Sequence, residues 1–301
     1  MKKKFYWSLE KGDLLPTLLM MPIMIMILVV MVIPLFYGLF ISFFKFSYGN
    51  FNIIRDFTGF SNYIRFFNDE TAIRSVLNTV VFSAGAIAGD FFFGTLAAVL
   101  LFRLCKPAAN ILRPIITIPL MVSPIVVGLI WRYIYDSQGI LYWFLGLFGL
   151  GMDQFPGVTS QSTALISTII AHWWQTVPFV IIVLTAGLVS ISQEMYDAAY
   201  VDGAGGFQVF KSITLPMLKD IYMVILLISG VDTIKAFDII YSLTGGGPNN
   251  STVTISIYAY KQGFENIDMG YAMALSIVAM TITLICFGLP FIKHNISKSK
   301  E

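Results

Sequence analysis

The sequence predicts an all-α polytopic membrane protein of six transmembrane helices, with one helical hairpin on the cytoplasmic side. Three observations carry that prediction. Of 301 residues, 57% are hydrophobic and 12% charged, about half the charge of an ordinary soluble domain. The apolar residues fall in runs of the ~20 residues that a helix needs to cross a ~30 Å hydrocarbon layer. Residues 192–219, between two such runs, instead have the composition of a water-exposed helix pair.

The spans are expected near 16–44, 75–103, 111–135, 164–190, 221–243 and 270–292, as one membrane domain covering 1–301. No Ser/Gly linker, low-complexity tract or internal repeat divides the chain, which argues against carriers built from two related halves. The first stretch follows Met1-Lys2-Lys3-Lys4 as a secretory signal would. Its apolar run is far longer than a signal core and has no small-residue cleavage site behind it, so it reads as a retained span.

After it, Ser47 to Thr71 forms an outer segment in which Thr58-Gly59-Phe60-Ser61-Asn62-Tyr63 predicts a turn and then an interfacial helix. Prolines recur in the spans (Pro22, Pro34, Pro114, Pro119, Pro124, Pro178, Pro290). Each removes a backbone donor and can kink its helix, although proline is common in membrane helices. Residues 136–163 contain no Lys or Arg and make the clearest outer loop. Gly245-Gly246-Gly247-Pro248-Asn249-Asn250 cannot continue a helix and forms another.

Charge sets the orientation. With the N-terminus inside, 12 of the 19 Lys and Arg lie on the cytoplasmic side (Lys2, Lys3, Lys4, Lys11, Arg103, Lys106, Arg113, Lys211, Lys219, Lys293, Lys298 and Lys300). Both termini are therefore expected in the cytoplasm. A net charge of +2 gives no support to nucleic-acid binding, and neither Cys105 nor Cys286 has a Cys or His neighbour at metal-ligand spacing, so no metal site is expected. Gly205 with Lys211-Ser212 mimics a phosphate loop, but Phe210 occupies the essential glycine position.

Two spans contain polar residues at depth. Asp232 falls about 18 Å along the fifth span at 1.5 Å per residue, where a carboxylate costs about 2.5–3.5 kcal/mol unless it faces protein or water. Ser229, Asp232, Thr233 and Ala236 follow helical spacing and are expected to share one small, polar face. Lys235 is within reach of Asp232, Asp238 or Asp90 of the second span. In the fourth span, His172-Trp173-Trp174-Gln175-Thr176-Val177-Pro178-Phe179 offers indoles that stack on sugar faces or anchor at the interface, beside an amide and a hydroxyl that bond sugar hydroxyls.

Between the fourth and fifth spans, Met195 to Tyr200 reads as a helix with Glu194 and Asp197 in its first turn, where the dipole favours acids. Ala198 and Ala199 leave a face without bulk. Gly203 and Gly205-Gly206 allow a reversal, and Phe207, Phe210 and Ile213 predict one apolar face on a second helix that Pro216 closes. The spacing Asp197-Ala198-Ala199, three residues, Gly203, nine residues, Ile213-x-Leu215-Pro216 resembles the signature loop of ABC importer permeases. Asp197 stands where glutamate is usual, which keeps the charge and shortens its reach by one methylene.

Asp202-Gly203-Ala204, Gln208-Val209-Phe210, Gly59-x-x-Asn62-Tyr63, Leu243-Thr244-Gly245-Gly246-Gly247-Pro248 and Gly270-Tyr271-Ala272 are similar to the maltose-type, carbohydrate-uptake branch, and to the first permease subunit of its pair. The resemblance implies a type I importer permease in a bacterial cytoplasmic (inner) membrane. It implies a second permease subunit as heterodimer partner, a dimer of ATPase subunits carrying ATP and Mg, an extracytoplasmic solute-binding protein, and a sugar or oligosaccharide. It also implies that this chain binds no cofactor and catalyses no reaction. The loop residues Asp197, Ala198, Ala199, Asp202, Gly203, Ala204, Phe207, Ile213, Leu215 and Pro216 would engage the ATPase. His172, Trp173, Gln175, Thr176, Phe179, Ser229, Asp232, Thr233 and Ala236 would line the substrate pathway. Neutral disaccharides, acidic or modified oligosaccharides and polyol phosphates stay open as solutes. The competing readings are a secondary carrier or channel using Asp232, Lys235 and Asp238, and a membrane scaffold, for which polar stripes at depth have no use.

Overall fold

The computed structural model describes residues 15–46, 54–104, 106–151 and 155–298. The N-terminal lysines, Cys105 and Lys300 lie outside these. Among the described residues the chain is helical, and its one β feature is an isolated antiparallel bridge between Phe44 and Phe57. Helix α1, Leu15–Ile27, continues through a π-turn at Leu28–Val32 into α2, Ile33–Ile41. Its side chains are almost all exposed, as a lipid-facing or partner-facing helix requires. Helix α3, Ser61–Asn68, is a short return segment. Helix α4 runs from Glu70 to Arg103, beginning five residues earlier than the hydropathy indicates because Asp69 caps the amides of Thr71 and Ala72.

The third stretch is not one helix. Lys106–Thr117 (α5) and a 3-10 turn at Ile118–Met121 give way to α6, Pro124–Ile134, with the two halves bent by 99°. Pro119 and Pro124 supply the break, and Pro124 opens the new helix where no donor is needed. Helix α7 is Ile140–Gly146, and α8, Ala164–Ser190, continues through Pro178 as one helix.

The hairpin follows as α9, Gln193–Val201, and α10, Gly206–Val209. A π-turn at Phe210–Thr214 and the single turn Leu215–Met217 (α11) then lead to a 66° bend into α12, Lys219–Ile234. The fifth stretch therefore stops nine residues short of the expected 243, and α13, Asp238–Thr244, starts a separate helix. Neither Pro nor Gly marks that break. The hydroxyls of Ser256 and Thr254 donate to the carbonyls of Ile234 (3.1 Å) and Ala236 (3.5 Å), taking up acceptors that the helix end frees. Helix α14, Ile255–Tyr260, a π-turn at Lys261–Glu265, α15, Met269–Thr283, a second π-turn at Leu284–Gly288, and α16, Leu289–Lys298, complete the chain.

Among the described residues four helices are long and apolar enough to cross a membrane, or up to six if each bent pair is one span. The centre is the α4–α8 pair, where glycines let the helices close: a Cβ on Gly85 would lie 2.8 Å from Ile169, and one on Gly94 would lie 2.5 Å from Val180. Trp173 covers Gly89 in the same way and donates Nε1 to the carbonyl of Ala86 at 3.0 Å. One core cluster joins Phe82, Val127, Ile169, Ile240 and Tyr271. A second, at the other end of α4 and α8, joins Leu101, Leu184, Leu188, Tyr196, Val209 and Leu218, and it fastens the hairpin to the bundle.

Candidate functional site

The hairpin owes its shape to a helix end. In α9 the amide of Gly203 donates to Tyr200 (3.1 Å) and that of Ala204 reaches back to Ala199 (2.9 Å), with Gly203 at φ +80°. This is the paired closure of a left-handed glycine cap. Ala199 and Ala204, the two residues it brings together, both pack against the second core cluster. The motif thus encodes a stop as well as a smooth surface. Asp197 sits in the second turn, not the first, and accepts from Gln193 Nε2 at 3.1 Å; Glu194 alone is in the first turn.

Asp197, Ala198, Asp202, Gly203, Phe207, Leu215 and Pro216 are exposed together, Phe207 by 79%. The expected apolar face of Phe207, Phe210 and Ile213 does not form. The π-turn at Phe210–Thr214 shifts the register, so Val209 is the buried residue, Ile213 packs beside it and Phe207 points outward. Tyr196 Oη lies 3.3 Å from Thr214 Oγ1 and ties the two arms.

A cavity of about 410 Å3 opens where α8, the α5–α6 break and the end of α12 meet. His172, Gln175, Thr176, Asp232 and Ala236 line it, with Lys235, Phe237 and Asp238. The structure thus brings together five of the nine residues that the sequence nominates for a pathway. Gln175 Nε2 donates to the carbonyl of Val122 at 2.9 Å, so it satisfies the backbone freed at the break. Lys235 Nζ pairs with Asp232 at 2.9 Å, one of its three candidates. Both side chains are more than half exposed, so the ion pair faces open space.

The other four nominated residues lie elsewhere. Ser229 and Thr233 are buried and do not line the cavity, Thr233 Oγ1 donating to the carbonyl of Gly230 at 3.0 Å. The expected four-residue face is not continued to Ala236, because the helix ends at Ile234. Trp173 turns toward α4, and Phe179 packs in the second core cluster. Behind the cavity wall, Asp90 is fully buried. It accepts from Thr176 Oγ1 at 2.7 Å, and His172 Nε2 stands 4.0 Å from its second oxygen.

Sequence reasoning missed a latch at the other end. Asp69 Oδ1 accepts from the amides of Thr71 (3.0 Å) and Ala72 (3.1 Å), while Oδ2 accepts from Tyr258 Oη (2.6 Å) and Tyr271 Oη (2.8 Å). Burial pushes the Asp69 carboxyl up, but these four donors together hold it below its ordinary value. Arg65 pairs with Asp268 at 2.6 Å and stacks 3.9 Å from the Tyr271 ring centroid. Asn62 Nδ2 donates to the carbonyls of Ser42 (2.8 Å) and Phe44 (3.0 Å). The Gly59-x-x-Asn62-Tyr63 and Gly270-Tyr271-Ala272 motifs are therefore structural clasps, the first tying α3 to the end of α2 and the second tying α15 to the start of α4. The presence of a hydrogen-bonding Asn62 and Tyr271 within these motifs was the available signal.

The profile of the family described as binding-protein-dependent transport system inner membrane component matches residues 90–296. Among curated proteins, the chain is 34% identical over 269 residues to the trehalose/maltose transport system permease protein MalF of Thermococcus litoralis, covering 89% of each. It is 32% identical to the sulfoquinovosyl glycerol transport system permease protein SmoG of Agrobacterium fabrum, covering 92% of this chain and 89% of that one. Among solved structures, a chain of a bacterial ABC transporter that imports the acidic polysaccharide alginate superposes with a TM-score of 0.78 at 25% identity, over 93% of this chain and 96% of that one. A structure of such a transporter with a periplasmic protein carrying alginate pentasaccharide matches equally well. The clasp motifs, the glycine-capped hairpin and these likenesses agree: the chain belongs to the family of binding-protein-dependent transport system inner membrane components, as a non-catalytic ABC importer permease of the maltose-type branch.

Proposed function

We propose that this permease forms half of the translocation pathway of an ATP-driven importer for a sugar or oligosaccharide, and that the 192–219 hairpin transmits ATPase closure to it. Each bent helix pair counts as one crossing, giving six, within a single domain over 1–301 whose N- and C-termini face the cytoplasm of a bacterial inner membrane. Its partners are a second permease, a pair of ATPase subunits and an extracytoplasmic solute-binding protein. The relatives that carry trehalose/maltose, sulfoquinovosyl glycerol and alginate support a saccharide as solute.

One observation carries the mechanism. The exposed hairpin and the polar cavity are joined by a single uninterrupted helix, Lys219–Ile234, whose start is buried at Leu218 and whose end bears Asp232 and Lys235. A 16-residue helix is about 24 Å long and moves as a rod. Force on the exposed Asp197, Ala198, Asp202, Phe207 and Leu215 reaches the cavity wall through it. Gly203 and Ala204 fix the tip, while Ala199, Ile213 and Pro216 fix the root. In the cavity, His172, Gln175, Thr176 and Asp232 supply the donors and acceptors that a polyhydroxylated solute needs. Trp173, Phe179, Ser229, Thr233 and Ala236 shape the wall from behind or from the rim.

The test is uptake into proteoliposomes containing the complete importer. Saccharide uptake should need internal ATP and the binding protein, and should survive an uncoupler. Uptake that collapses with the uncoupler at constant ATP would mean a carrier that runs on an ion gradient.

A further inference from the structure

Beside the polar cavity lies a larger one, about 590 Å3, between α12, α14 and α15, and the two share Lys235 and Phe237. Phe237, Tyr260 and Phe264 line the larger cavity, and Tyr241 continues the row of rings just outside. Phe237 stacks on Tyr241 (centroids 4.9 Å, planes 17° apart) and touches Tyr260 at 4.9 Å, and Tyr260 stacks on Phe264 at 5.1 Å. These three pairs fit ordinary ring pairing, and although Phe237 abuts the core, the row opens outward: Phe264 is 64% exposed and Tyr241 37%.

We propose that Phe264, Tyr260, Tyr241 and Phe237 form an aromatic ladder on which the pyranose rings of the incoming saccharide stack before they reach the Asp232–Lys235 cavity. The inference deepens the proposed function and rests on it. A pyranose offers an apolar C–H face and a rim of hydroxyls, and the ladder offers flat rings with the hydroxyls of Tyr241 and Tyr260 at their edges. Lipid is the poorer occupant. Lys235, more than half exposed and paired with Asp232, lines this cavity as well as the polar one, and such a charge belongs on the aqueous side of a membrane protein. The volume also suits a ligand several rings long rather than one sugar.

The experiment measures initial uptake by the complete importer at sub-saturating sugar, using Phe264→Leu and Phe264→Tyr, then Tyr260→Leu and Tyr260→Phe. The leucine variants keep apolar bulk and lose the ring. They should slow uptake about three- to tenfold, the range that one aromatic face contributes, while the aromatic variants keep most of it at equal complex levels in the membrane. Leucine variants that transport saccharide like the wild type overturn the ladder alone. So does Phe264→Cys cross-linking quantitatively to the second permease, which would make the rings a subunit interface. A wild-type complex that moves some other solute and no saccharide overturns the ladder together with the function it rests on.

Discussion

The amide of Ala204 donates to the carbonyl of Ala199 at 2.9 Å, and this bond closes the hairpin on a glycine whose φ is +80°. A side chain on Gly203 would meet no atom within 4 Å, so the conformation alone demands glycine there. An L-residue in the left-handed region costs about 1–2 kcal/mol, and asparagine tolerates it best. Gly203→Asp should abolish uptake while the membrane level of the protein stays unchanged, because it adds a charge to the exposed tip as well as strain. Gly203→Asn should keep part of the activity. Uptake by Gly203→Asp at the wild-type rate would sink the lever account.

Gly270 tests the clasp. Its Cβ position coincides with the carbonyl of Phe44, a backbone atom that cannot rotate away, and its amide donates to Phe46 at 3.3 Å. Gly270→Ala should therefore lower stability by about 1–3 kcal/mol, as overpacking does. Gly205→Ala, which meets open space at a negative φ, should be neutral by thermal melting in detergent.

The contrast explains what the sequence made legible. Runs of apolar residues gave the all-α membrane class and the limits of Ala164–Ser190, but not that the third and fifth stretches are bent pairs, because length and hydropathy report apolar runs and not their breaks. The hairpin's first arm and its glycine were readable, since a positive φ and a helix stop are local properties. The break after Ile234 was not, because distant hydroxyls on Ser256 and Thr254 stabilise it and no residue within the span signals it. The π-turn that breaks the register between Phe207 and Ile213 was hidden for a similar reason: periodicity arguments assume 3.6 residues per turn throughout. Trp173 read equally well as a sugar platform or an anchor. The structure instead gives it Gly89 as a partner, a contact that only the pairing of two helices reveals.

Asp69 predicts a pH response. Its folded value is depressed, so its contribution to stability is complete above the ordinary carboxylate value near 3.8 and is lost as pH falls through the lower folded value. The purified protein should owe no stability change to this group between neutral pH and about 5, and should weaken below about 4. Asp69→Asn should already be destabilised at neutral pH, because an amide cannot accept from both Tyr258 and Tyr271 while capping two amides, and should show a shallower acid limb. Identical acid limbs in the two proteins would remove Asp69 from the account.

Thr176 and Asp90 join the cavity wall to the bundle interior, and removing either partner has unequal consequences. Asp90 is fully buried, and its second oxygen has no hydrogen-bond partner among the described residues. The Thr176 hydroxyl, at 2.7 Å, is thus its one donor. Thr176→Val strands a buried carboxyl and should cost about 1–3 kcal/mol. Asp90→Ala leaves a hydroxyl that still donates to the carbonyl of His172 at 2.9 Å, so it loses the bond without stranding a donor. The double variant should be more stable than the sum of the single losses predicts, by about 1 kcal/mol or more. Additive losses in thermal unfolding of the two single variants and the double would show that the hydroxyl and the carboxyl do not depend on each other.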